Sequence, residues 1–253
     1  MPNIPGLEVM QTPIEILSPI VLLVEGKDEI NFFGALFRYM RPESTINGIE
    51  NNSQQCIVKN VRPGVDIEVR EVRGKYQLPN ALRLFVRDPG FPQVKAYSIV
   101  CDADSNAEDT LQSIQNLLKD NNQPCPIEHA SFKSSDDNKR KVGIFIMPGF
   151  STPRGMLEDL CLLSVKQHPI MPHVTDFMAQ VKSTRGKEAP KNESKATVQA
   201  FLSGMRETIP SLGRAAQKHY WPFDDIAFSG ICSFLEEFSR FGSDDRDNLP
   251  SVR

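Results

Sequence analysis

Two short apolar runs in this chain of 253 residues each stop on carboxylates, and that pattern constrains the fold more than any other feature. The first, Ile20-Val21-Leu22-Leu23-Val24, gives way to Glu25-Gly26-Lys27-Asp28-Glu29. The second, Ala96-Tyr97-Ser98-Ile99-Val100, passes through Cys101 into Asp102-Ala103-Asp104. Short β-branched runs followed by helical spacing read as buried parallel strands. In an open α/β sheet, ligands bind outside the carboxyl ends of the strands, where both acidic clusters would fall. Two like charges about 4 Å apart repel by about 4 kcal/mol at an effective dielectric near 20. A fold that gathers carboxylates there needs a cation, a proton or a Lys/Arg partner, and a divalent metal is the simplest of the three.

The rest of the pattern supports a sheet. Asp28 to Met40 places Ile30, Phe33, Ala35, Leu36, Phe37 and Met40 on one broad helical face. Residues 43–64 read as a polar loop with a short strand at Cys56-Ile57-Val58. Val65 to Val72 alternates with the period of a half-buried strand, and Leu78 to Val86 reads as a helix. Ala107 to Lys119 is amphipathic, Lys141 to Met147 is a further strand, and Gly155 to Val165 resumes helical spacing. This alternation implies βαβ units and a mostly parallel sheet. Beyond Pro169 only helix-like stretches remain, over residues 174–181, 195–205 and 230–241. The expected organisation is an α/β domain over residues 14–165, a helical extension over 166–242 and a frayed tail over 243–253.

Composition excludes several classes. With 40% apolar and 24% charged residues the chain is ordinary for a soluble globular protein. A net charge of −3 means that DNA or RNA would have to be met by a local basic patch. No run reaches the roughly 18 apolar residues of a membrane span. Met1 to Ser18 has no positive lead or cleavage site, so no secretory signal is expected. The five cysteines are scattered without a CxxC pair, which points to the cytoplasm and away from disulfides or structural zinc. The four histidines form no HExxH pair, and neither a P-loop nor a dinucleotide fingerprint occurs.

The candidate chemistry lies in three acidic groups. Glu25 directly follows five apolar residues and would sit at the sheet edge, with Gly26 allowing close backbone approach. Asp28 and Glu29 would also suit a helix N-terminal dipole without any further role. In an extended backbone Asp102 and Asp104 project to the same side, so both could reach one cation, although one of them could instead cap the next helix. Glu158, in Gly155-Met156-Leu157-Glu158-Asp159-Leu160, opens a helix at the same rim as a ligand for a second ion or as a solvated residue. Lys27, Lys133, Arg154 and Lys195 are candidate cations for phosphate or for developing charge. Trp221 reads as a packing anchor.

Taken together, Val24-Glu25-Gly26-Lys27-Asp28 and Asp102-Ala103-Asp104 resemble the Toprim domain of topoisomerases, bacterial primases, small maturation ribonucleases and OLD-type nucleases. The resemblance covers about residues 18–165. With Gly155 to Leu160 and the helix Lys195-Ala196-Thr197-Val198-Gln199-Ala200-Phe201-Leu202, the chain is also similar to prokaryotic Toprim-like proteins with a helical C-terminal extension. It implies a Rossmann-like sheet and Mg²⁺- or Mn²⁺-assisted phosphodiester chemistry. Asp102 and Asp104 would be ligands and Glu25 a ligand or general acid/base. The chain departs from the pattern in having no evident tyrosine nucleophile, which disfavours a topoisomerase, and Ser105-Asn106 where a glycine often follows. The expectation is a small metal-dependent nuclease or phosphotransfer enzyme. The alternatives are a non-catalytic binding module and a different DxD chemistry of the haloacid-dehalogenase or receiver kind.

Overall fold

Both apolar runs are strands, buried along their whole length. The computed structural model describes residues 15–48, 54–149 and 152–242. The expectations for residues 1–14 of the leader, for 49–53 of the polar loop and for the tail beyond residue 242 lie outside those residues. Strand β1 (Ile20–Val24) leads into helix α1 (Lys27–Met40), followed by β2 (Thr45–Asn47), β3 (Gln55–Arg62) and β4 (Val65–Glu71). Helix α2 (Leu78–Phe85), β5 (Ala96–Asp102) and α3 (Ala107–Asp120) come next, then β6 (Ser131–Ser134), β7 (Lys141–Met147) and α4 (Leu157–Ser164). The remaining helices are α5 (Met171–Arg185), α6 (Glu193–Ser203), α7 (Leu212–Gln217) and α8 (Ser229–Arg240).

Among the described residues the seven strands form one sheet in the order β2-β3-β4-β1-β5-β7-β6. The central four, β4-β1-β5-β7, are parallel, whereas β2, β3 and β6 pair antiparallel at the two sides. The fold is thus α/β with a mixed sheet whose core is parallel. β1 lies where the order switches, with β4 on one side and β5 on the other, so the carboxyl ends of β1 and β5 open onto one crevice.

Alternation along each strand sends side chains to two apolar clusters. Leu22, Val100 and Phe145 share one face with α1 and α4–α8; Leu23, Ile99 and Ile144 share the other with α2 and α3. Phe201, Trp221, Phe234 and Phe238, all beyond residue 165, belong to the first cluster, so the C-terminal helices close that face of the sheet. Trp221 is buried against Phe201, its indole N–H donating to the Leu212 carbonyl at 3.0 Å. Helix α7 lies against α1, and a Cβ on Gly213 would stand 2.2 Å from the Asp28 carbonyl oxygen. Gly213→Ala is therefore expected to cost about 2 kcal/mol, read as a lower urea midpoint at unchanged slope.

The alternating strand β4 is not half-solvated. It is interior, and its polar residues Glu68 and Arg70 are buried together, the Arg70 Nε donating to Glu68 Oε1 at 2.6 Å. The Leu17 N–H also donates to Glu68, and Arg70 donates to the Glu15 carbonyl, so the segment before β1 covers this pair.

Candidate metal centre

The rim is built from three chain turns fixed by backbone hydrogen bonds. Past β4 the chain returns to β1, the Val72 N–H donating to the Val24 carbonyl (2.8 Å) and the Gly74 N–H to the Glu25 carbonyl (2.7 Å). This places Lys75 at the crevice. Past β5, Asp104 and Gly155 exchange both backbone hydrogen bonds, at 2.8 and 2.9 Å, which ties the strand end to the start of α4.

Glu25 and Asp102 meet there. Glu25 Oε1 accepts the Asp102 N–H at 2.8 Å, and Asp102 Oδ1 accepts the Leu157 N–H at 3.0 Å, at the first turn of α4. Asp102 is 8% exposed. Burial first, then the charges of Glu25, Glu29 and Glu158, push its carboxyl well above the usual carboxylate range. Glu25 is raised by burial and by Asp104, against the pull of its Asp102 N–H bond and of Lys75 and Lys195. Glu158 is raised by burial, and Lys195, whose Nζ is 3.8 Å away, opposes the shift.

Asp104 behaves differently. β5 ends at Asp102, and Asp104 adopts a left-handed conformation (φ 52°), so the two-residue alternation of an extended strand does not carry through to it. Its carboxylate is held by Lys75 at 2.8 Å, and the same ammonium donates to Thr110 Oγ1 (2.9 Å) and the Asp102 carbonyl (3.2 Å). The cap of α3 is Asn106, which accepts from Glu108, rather than either aspartate.

Two participants are additional to the sequence reading. Glu29 turns back over Gly26; a Cβ on that glycine would lie 3.2 Å from Glu29 Oε2. Gly26 is extended (φ −155°), so its use here is the missing side chain rather than a left-handed turn. Burial, then Glu25, Asp28 and Glu158, raise the Glu29 carboxyl to about 7. Lys75 is the other. Its place four residues past the carboxyl end of β4 puts it on the rim side of the sheet by topology, and the turn at Arg73 and Gly74 brings it to the crevice.

The remaining candidates separate. Lys27 lies near Glu71, whose ionised form its charge favours. Lys133 is on edge strand β6 opposite Val142, at the end of β7 away from the rim. Arg154 lines a groove of about 880 Å³ that opens beside Asp104 and Gly155 and runs between α4 and the start of α6. Asp159 accepts the Met156 N–H at 2.8 Å and the Ser194 hydroxyl at 2.5 Å, joining those two helices.

Among the described residues no three His, Cys, Asp or Glu side chains already converge closely enough to hold an ion. The donors nevertheless fit a hard cation in kind. Glu25, Glu29, Asp102 and Glu158 offer only carboxylate oxygens, and their mutual repulsion is the charge that Mg²⁺ or Mn²⁺ would offset.

Fold and rim together define an α/β protein with carboxylates gathered at the carboxyl edge of a mixed sheet. The chain belongs to the family described as "Protein of unknown function (DUF3226)", which matches residues 19–240. Among solved structures it shares its fold with the hypothetical protein PH0156 from Pyrococcus horikoshii OT3, at 14% identity and a TM-score of 0.58 over 88% of this chain and 99% of that one. The C-terminal region of the Xanthomonas campestris pv. campestris OLD protein aligns at 15% identity and a TM-score of 0.33, covering 94% of this chain and 91% of that chain. No match was found among curated proteins. No helix among the described residues is long and apolar enough to cross a membrane.

Proposed function

We infer that the chain is a Toprim-like, Mg²⁺- or Mn²⁺-dependent enzyme that hydrolyses or transfers phosphodiesters of nucleic acid. The observation that carries this reading is the meeting of Glu25 with the buried Asp102, acids 77 residues apart along the chain. The resemblance of Glu25-Gly26 and Asp102-Ala103-Asp104 to the Toprim pattern supports it. Asp102, Glu25, Glu29 and Glu158 would hold the ion, with Asp104 joining once Lys75 releases it. When bound, the metal would polarise the phosphate and lower the pKa of a water nucleophile.

The chain's own groups perform the rest. Glu25 is aligned by the Asp102 N–H, and burial raises its proton affinity above that of an ordinary glutamate, which suits it to exchange a proton with a water or a leaving group. Lys75 and Lys195 bring positive charge to the rim from two sides and would stabilise the charge that develops on the phosphate. Lys27, in the first turn of α1, faces Glu71 and takes no part in this scheme.

A second reading, a non-catalytic metal- or partner-binding module, is favoured by one observation: Lys75 already satisfies Asp104. Thermal unfolding with and without Mn²⁺, run beside a labelled oligonucleotide assay, distinguishes the two. Binding is expected to stabilise the fold by about 2.7 kcal/mol at a hundredfold excess over Kd, with cleavage that stops in chelator. Stabilisation without turnover would select the module; neither effect would remove the metal site.

A further inference from the structure

The turn that brings Lys75 to the rim also carries a side chain for which the acids have no use. Tyr76 is 98% exposed and has no hydrogen bond or ring contact among the described residues. An aromatic ring normally gains by lying against a neighbour and leaving water. Here the ring stands clear of the protein on a backbone that is firmly held. Gly74 is bonded to Glu25, the Gln77 N–H donates to the Gly74 carbonyl at 2.9 Å, and the Lys75 ammonium is anchored on Asp104, Thr110 and the Asp102 carbonyl. Adjacent α-carbons are about 3.8 Å apart, so an exposed aromatic face is set one residue from a cation that touches the acid site.

The groove supplies a second, independent observation. Its carboxylates are each engaged: Asp104 by Lys75, Glu193 by Lys182 at 3.0 Å, and Asp159 by Met156 and Ser194. Its cations, Arg154, Lys166 and Lys191, are exposed and form no ion pair among the described residues. Asp159 is held by neutral donors and keeps its charge, so three cations face one carboxylate without an ion-pair partner and the groove stays positive, on a chain whose net charge is −3. Asp104 links the two features, since its carboxylate meets the Lys75 turn while its backbone pairs with Gly155 in the groove wall.

An exposed ring beside an acid site, continued by a track of free cations, matches a ligand that alternates flat apolar faces with phosphates. Along a duplex the base faces are stacked on one another and only its two ends expose one, whereas every base of an unpaired strand can offer a face to Tyr76. We propose that the chain binds single-stranded nucleic acid, with one base stacked on Tyr76 and the phosphates on the far side of the rim following Arg154, Lys166 and Lys191. This deepens the phosphodiester reading, and rests on it only for the position of the bond that is cut.

The test is fluorescence anisotropy of a labelled single-stranded oligonucleotide and of its blunt duplex, with Ca²⁺ present. The single strand is expected to bind more tightly. Tyr76→Ala should weaken it about 5- to 100-fold, with little change for the duplex, whereas Tyr76→Phe, which keeps the ring, should bind like the wild type. Removing Arg154, Lys166 and Lys191 together should flatten the dependence of log K on log salt by about 2. Equal binding by wild type and Tyr76→Ala, equal loss in Tyr76→Phe, or an unchanged salt slope would overturn the proposal. Binding as described without cleavage would sink the enzymatic reading alone. Metal-dependent hydrolysis of bis-p-nitrophenyl phosphate without binding to either oligonucleotide would sink this proposal alone.

Discussion

Asp102→Asn is expected to lower metal-dependent phosphodiester cleavage by at least about 100- to 1,000-fold while leaving the fold intact. The substitution separates charge from shape. Asparagine keeps an oxygen where Asp102 Oδ1 accepts the Leu157 N–H, so the junction of β5 with α4 should survive. It loses the negative charge that a divalent ion would bind, and with it the repulsion from Glu25, Glu29 and Glu158. In chelator the variant should therefore unfold at a higher temperature than the wild type, and Mn²⁺ should stabilise it less. Glu25→Gln should behave alike, its amide oxygen still able to accept the Asp102 N–H. Wild-type turnover in Asp102→Asn, measured on a labelled oligonucleotide in Mn²⁺ with folding checked by circular dichroism, would remove this rim from the chemistry.

The second large effect concerns Glu29. Its carboxyl titrates near 7 in the folded chain and near 4.5 when unfolded. Between those values the folded state holds a proton that the unfolded state has released, so stability falls as pH rises through this window and then levels off. The loss is about 3 kcal/mol, to order of magnitude. His129 works in the opposite sense. Burial lowers it from 6.5 to about 4, so the unfolded chain takes up a proton first and stability rises with pH over that interval. The two contributions nearly offset between about 4.5 and 6.5, and the wild-type profile alone would hide both. The comparison of wild type with Glu29→Gln does not. In chelator the variant should match the wild type near pH 4.5 and exceed it by about 3 kcal/mol at pH 8, roughly 5–10 °C in Tm for a chain of this size. A difference that is flat with pH would show that Glu29 is not buried at the rim among the other acids.

The sheet-forming runs and the acids at their ends were readable because burial on both faces leaves an unbroken apolar signature, which ends where the strand leaves the core. Glu25 and Asp102 follow from that alone, whereas Glu158 was readable as an acid in the first turn of the helix after β7. The edge strands were not readable in the same way. β6 has one sheet neighbour and Phe132 as its sole apolar residue, and β2 is three residues long. Helix α7 is six residues, too short to establish a period, and is kept by the fit of Gly213 on α1. The conformation of Asp104 and the arrival of Lys75 depend on turns with positive φ at Arg73, Gly74 and Asp104. Only the glycine among these announces such a turn in sequence. Glu29 was visible as a helix-opening acid, but its inward rotamer is set by the space above Gly26.

The paired exchange between Asp104 and Gly155 has a mechanical consequence. Two reciprocal bonds make the end of β5 and the groove wall a single lever, so tension on a strand lying in the groove would be delivered to the backbone beside Asp102 instead of being absorbed by a slack loop. A polymer drawn taut there would tug on the Lys75–Asp104 latch, and so couple its own arrival to the unlocking of the acid that Lys75 holds.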